Sequence, residues 1–158
     1  KRYCELLIRR YRDRLFSVVV FGSVARGAAD PERSDLDLLV VVDGWDLVNV
    51  FLRIEEFMAV RSELRESPEY VSASSVGAHL AIREYPLSRR EAEAFHRVYL
   101  DMSLDRVTLY DRGGFFEERM RSLRARLQAL GSYRVQLPEG SWYWVLKPDL
   151  KAGEVVEL

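Results

Sequence analysis

The chain contains a single cysteine, Cys4, a single asparagine, Asn49, and no apolar run near the roughly 18 residues that a membrane-spanning helix needs. One cysteine excludes an internal disulfide and any multi-cysteine metal site, and it fits a reducing compartment. The first residues show no leader of charged and then apolar character, so the expectation is a cytoplasmic protein without a membrane partner. Charge of one sign is lacking too: 24 Lys and Arg stand against 25 Asp and Glu, a net charge of −1. No global basic field draws in nucleic acid, although a local patch leaves that partner open. Neither an internal repeat nor a low-complexity linker interrupts the chain. Its basic residues are mostly arginine, which with scarce amides points to a thermophilic source or equally to the base composition of the gene.

What is present is enough for one core: 158 residues, 48% hydrophobic and 11% aromatic. Cys4, Leu7, Ile8, Tyr11 and Leu15 recur at helical spacing and predict an amphipathic helix over about residues 1–15. "SVVVFG" and "DLDLLVVV" read as buried strands. A long helix is expected from Asp46, as N-cap, to about Glu66, ending before Pro68. "VGAHLAIRE", residues 76–84, alternates as a third strand, with Val76, Ala78, Leu80 and Ile82 on one side and Gly77, His79, Ala81 and Arg83 on the other. A short helix capped by Ser88, a strand "RVTLYD" and a helix from Phe115 to Gly131 follow. The tail reads as a β-hairpin, "YRVQL" and "SWYWVL", with a last short strand in "KPDLKAGEVVEL". Trp142, Trp144 and Leu146 share one side of it, as a seal on the core or as a stacking surface for bases. The whole is an α/β (α+β) chain, residues 1–131 forming the main domain and 132–158 a hairpin packed on it.

On the second strand Asp35, Asp37, Leu39 and Val41 share one face, and Leu36, Leu38, Val40 and Val42 the other. Two carboxylates roughly 7 Å apart on a face that continues apolar repel one another and lose hydration. A proton or a cation must relieve them. Ahead of them, Gly22 permits a sharp reversal after the first strand and leaves Ser23 opening a short turn, "SVARGAA", whose N–H groups suit phosphate. Arg26 projects from the same turn. A turn for polyphosphate facing two carboxylates for divalent cations is the equipment of phosphoryl or nucleotidyl transfer.

Gly22-Ser23, an eleven-residue spacer and Asp35-Leu36-Asp37 resemble the signature of the DNA polymerase β-like nucleotidyltransferase superfamily, and "GSVARG" resembles its minimal members. "YLDMSLDRVTLYDRGGFF" and the tail are similar to archaeal members with a C-terminal extension. The resemblance implies a mixed central β-sheet flanked by helices. It implies Mg²⁺ or Mn²⁺ held by Asp35 and Asp37 as the catalytic pair, and a nucleoside triphosphate whose β- and γ-phosphates meet Gly22 and Ser23, with Arg26 assisting. It further implies transfer of a nucleoside monophosphate to an acceptor that the sequence does not choose.

Catalysing members carry a third carboxylate on the next core strand, but the alternates Gly77, His79, Ala81 and Arg83 include no acid. Glu69, Glu84 and His79 stay open as substitutes. The rival reading is a non-catalytic, antitoxin-like module that binds nucleotide or a protein partner, and self-association is open in either case.

Overall fold

The computed structural model describes residues 1–79 and 81–158. Helix α1 (Arg2–Tyr11) ends sooner than its periodicity predicts, and a 3-10 turn over Arg12–Arg14 leads into β1 (Leu15–Phe21). Leu15 thus opens the strand rather than closing the helix. A four-residue helix α2 (Gly22–Ala25) and a loop reach β2 (Leu36–Val42), followed by α3 (Val50–Arg65) and α4 (Pro68–Ser75). Then come β3 (Ile82–Ser88), α5 (Arg89–Glu93), α6 (Val98–Met102), β4 (Val107–Asp111) and α7 (Phe115–Ala129). The chain closes with the expected hairpin, β5 (Tyr133–Gln136) and β6 (Trp142–Val145). The last twelve residues form no strand.

The main sheet is mixed, in the order β3-β2-β1-β4, with β1 antiparallel to both β2 and β4, and β2 parallel to β3. Two apolar layers cover it, and the period of two along β2 decides which residue enters which. Leu38, Val40 and Val42 join Leu6, Leu7 and Tyr11 of α1 and Phe57, Val60 and Leu64 of α3. Leu39 and Val41 join Tyr99 and Met102 of α6 and Phe116, Met120 and Leu123 of α7, and Trp144 and Leu146 of the hairpin side seal this second layer. No helix among the described residues is long and apolar enough to cross a membrane.

Three boundaries differ from expectation for identifiable reasons. Asn49, not Asp46, caps α3 and accepts from the Phe51 N–H at 2.9 Å, while Asp46 accepts from the Ser88 hydroxyl, also at 2.9 Å. Pro68 follows the expected end of α3, but it also occupies the first turn of α4, where its missing N–H costs nothing, with Ser67 as the cap. That extra helix runs to Ser75 and the chain turns at Val76–Gly77, so pairing with β2 begins only at Ile82 and β3 lies over Ile82–Ser88 rather than 76–84; Leu80, placed on the expected strand, falls outside the described residues. Pro86 is tolerated because β3 is an edge strand.

A buried arginine ties the end of β3 to α3. Arg53, 5% exposed, donates to the carbonyls of Val48 at 2.8 Å and Trp45 at 2.7 Å and pairs with Glu91. Glu91 also completes a capping box with Ser88. The hydrogen bond from Arg53 holds the Glu91 carboxyl below its usual range, burial opposing it. A carboxyl depressed in the fold contributes stability above the ordinary carboxylate range and loses it as pH falls through that range. Glu91→Gln is therefore expected to cost roughly 1–3 kcal/mol at pH 7 in urea unfolding. The gap should begin to shrink as pH falls through the ordinary carboxylate range and close only below the depressed Glu91 carboxyl; a gap unchanged by pH would show that charge plays no part.

Candidate nucleotidyl-transfer site

The site is built at the end of β1 and the beginning of β2, where antiparallel pairing sets Phe21 opposite Asp37. The next residue, Gly22, has φ +72, and a Cβ there would lie 2.3 Å from Asp37 Oδ2. Only a residue without a side chain lets the turn approach the carboxylate this closely. Ser23 follows in α2, and the Ala28 N–H donating to its carbonyl at 3.0 Å closes the turn. Gly22 and Asp37 therefore meet, with Ser23 the next residue of the turn.

Asp35 precedes β2 by one residue and meets a histidine and an arginine. Its carboxylate accepts from His79 Nε2 at 2.7 Å and pairs with Arg83. Backbone bonds fix that meeting: the His79 N–H donates to the Pro31 carbonyl and the Leu36 N–H to the Ala81 carbonyl, both at 2.9 Å. In the parallel register Arg83 lies beside Asp37, and Tyr85 beside Leu39. Partial burial pushes the Asp37 carboxyl above its usual range; Arg83 opposes this, and the neighbouring Asp35 charge reinforces it. The repulsion expected between the two aspartates is thus met, in the chain alone, by an arginine and a histidine.

Of the candidates for a third acid, the structure removes Glu84. It pairs with Leu38 in register and faces the first apolar layer, where its carboxylate takes the Tyr3 hydroxyl and Arg61, donating through Nε at 3.0 Å. The side chain is 1% exposed and on the other side of the sheet from Asp35 and Asp37. Glu69 lies in the first turn of α4 and lines a cavity of about 640 Å³ together with Tyr3, Val24, Leu36, Tyr70 and His79. His79 is the one candidate that borders both this cavity and the aspartates. Among the described residues, no group of three or more His, Cys, Asp or Glu side chains is placed to hold a metal ion. Two carboxylates remain.

The model of the nucleotidyltransferase domain matches residues 4–99, well over half of the chain. The chain belongs to the nucleotidyltransferase family. Its organisation is that of a minimal member of the polymerase β-like superfamily. No curated protein sequence matches it. Among solved structures, a chain of a toxin-antitoxin crystal structure with AMP-PNP is 18% identical over 81% of this chain and 91% of that one, with a TM-score of 0.44. A chain of the toxin-antitoxin MntA-HpeT is also 18% identical, over 80% and 86%, at 0.47. A Sulfolobus solfataricus protein, a nucleotidyltransferase by assignment only, is 24% identical over 71% and 89%, at 0.37. With TM-scores below 0.5, these likenesses are loose.

Two contacts of this nucleotidyltransferase have no signal in its sequence. The Arg26 guanidinium lies 4.6 Å from the centroid of the Trp142 ring, so the C-terminal hairpin touches the Gly-Ser turn. Asp101 fixes the hairpin there by accepting from Trp142 Nε1 at 2.8 Å and Trp144 Nε1 at 3.0 Å. The alternation of Trp142 and Trp144 shows that they share a side, but nothing in it shows Arg26 or Asp101 as their partners. The other is the Tyr85 hydroxyl on His96 Nδ1 at 3.2 Å, whose Nε2–H donates to the Glu91 carbonyl at 2.9 Å.

The turn makes a sharp comparison possible. Gly27 also has positive φ, +68, but a Cβ there meets nothing within 4 Å. Gly27→Ala should show only backbone strain, about 1 kcal/mol or more, whereas Gly22→Ala should lose clearly more stability in thermal melts. Equal effects at the two glycines would mean that the approach to Asp37 is immaterial.

Proposed function

We propose that this chain transfers a nucleoside monophosphate from a nucleoside triphosphate to an acceptor hydroxyl, in a reaction that depends on Mg²⁺ or Mn²⁺. The observation that carries this reading is the Gly22–Asp37 approach, which brings the Gly-Ser turn and a carboxylate pair to one end of the sheet. The donor set fits the cation: hard carboxylate oxygens of Asp35 and Asp37, with Mg²⁺ commonly completed by substrate phosphates and water rather than by more protein. A bound divalent cation neutralises phosphate charge and activates a coordinated oxygen.

The residues of the chain divide the remaining work. Gly22 and Ser23 hold the outer phosphates, Arg26 balances their charge, and Asp35 and Asp37 hold the cation. His79, with Nε2–H donating to Asp35, presents Nδ1 to take the proton of an acceptor hydroxyl entering from the cavity. The acceptor oxygen bonds to the α-phosphorus, the bond to the β-phosphate breaks, and pyrophosphate leaves. Residues 1–131 carry this machinery and 132–158 brace it through Trp142 and Arg26.

One observation favours a protein partner as well. Leu47, just before α3, and Phe51, Ile54 and Met58 along it recur at helical spacing and are all exposed, on the flank beside buried Phe57, Val60 and Leu64. Another protein, a second copy of this chain included, is the natural cover for such a stripe. If the site binds nucleotide without transferring it, the antitoxin-like reading takes precedence.

Mn²⁺ with the right triphosphate should raise the melting temperature. At free ligand 100 times its dissociation constant the gain is about 2.7 kcal/mol, or roughly 5–10 °C for a chain of this size. Asp37→Asn should remove most of that increment while the ligand-free melting temperature holds or rises, since a repelling charge is gone. The same metal-dependent shift in the variant would show that the carboxylate pair is not the cation site.

A further inference from the structure

We infer that Arg83 is a third working charge of this site: it holds Asp35 in the metal-free chain and passes to the triphosphate when a cation binds, so the site takes one divalent ion rather than a pair. The inference rests on the nucleotidyl-transfer reading above and concerns how that site is filled. Three observations carry it. The β2–β3 register puts Arg83 beside Asp37, on the face that bears both aspartates. Its guanidinium is already paired with Asp35. Yet the Arg83 side chain is 75% exposed, so nothing packs the arm in place and the head can change partners without disturbing a core.

Charge and ligand supply then limit the site. A second dication needs carboxylate oxygens of its own, and the same face of β3 offers Arg83 and, two residues on, Tyr85 beside Leu39. Glu84, the acid between them, points to the opposite layer and is held there by Arg61 and Tyr3. A pair of ions 3.5–4 Å apart would therefore share two carboxylates beside a guanidinium that repels both. A single ion on Asp35 and Asp37 removes the partner of Arg83 instead of competing with it for space. The freed guanidinium is a planar fork suited to two phosphate oxygens, which enter at the same moment. Arg83 thus exchanges one anion for another, and a phosphate-binding arm is stored on a metal ligand until substrate arrives.

The exchange predicts opposite changes in two equilibria, which a merely structural arginine would not give. Mn²⁺ binding is read by electron paramagnetic resonance on the intact chain, first alone and then with whichever α,β-methylene nucleoside triphosphate binds. The wild type should hold one Mn²⁺ per bound analogue. Arg83→Ala should bind Mn²⁺ alone several-fold more tightly, because the Asp35 oxygen that Arg83 holds is freed while His79 keeps the other, and should bind the analogue about tenfold more weakly. Arg83→Asp should acquire a second Mn²⁺. Two Mn²⁺ per analogue in the wild type, or an Arg83→Ala variant in which both affinities fall together or neither moves, overturns the proposal. Failure of the underlying reading looks different: no Mn²⁺ is held at all, or Asp37→Asn holds it equally well.

Discussion

The antiparallel pairing of β1 with β2 is the constraint on which the rest of the site depends. Its register sets Phe21 against Asp37, so the turn that leaves β1 has to pass the carboxylate that enters β2. Glycine at position 22 is the local consequence, and the convergence of turn and carboxylates is the chemical one. The sheet around them is held by means that have nothing to do with chemistry. Two apolar layers fill alternate sides of β2, and the half-buried pair of Arg53 with Glu91 ties α3 to α5, which follows the edge strand. The reactive end can therefore carry unfavourable groups, two like charges and a glycine at positive φ, because the other end is overdetermined.

Local periodicity was readable, and it carried the most informative part of the site. The alternation of "DLDLLVVV" puts Asp35 and Asp37 on one face and its leucines and valines into two layers, as found. The third strand shows both the strength and the limit of such reading. Its bounds slip by six residues, from 76 to Ile82 at the start, because residues after α4 turn at Val76–Gly77 and meet β2 only where Leu36 pairs with Ile82. The phase survives the slip: Ile82 packs with the first layer, and Arg83 stands on the face of Asp37. Parity along a strand depends only on counting by two, whereas a boundary depends on which neighbour wins the backbone hydrogen bonds.

What the sequence could not disclose is who faces whom across long separations. Glu84 reads as a candidate acid until Tyr3 and Arg61, far away in the chain, are seen to claim it. Arg26 reads as a lone cation beside a turn until Trp142 of the hairpin is found against it. Such contacts follow from packing of whole elements, and no window of residues encodes them. They also change the picture of the site: it has two carboxylates, an arginine and a histidine where a third carboxylate was sought, and a hairpin lies against its Gly-Ser turn.

The central claim is that the bond broken lies between the α- and β-phosphates. It is tested most directly by supplying Mn²⁺, cell extract as the source of acceptor, and in parallel α- and γ-labelled forms of each nucleoside triphosphate. The account predicts that the α label becomes covalently attached to an acceptor while the γ label is released as pyrophosphate, and that neither happens with Asp35→Asn. Attachment of the γ label, or α-label attachment that survives loss of Asp35, would contradict it.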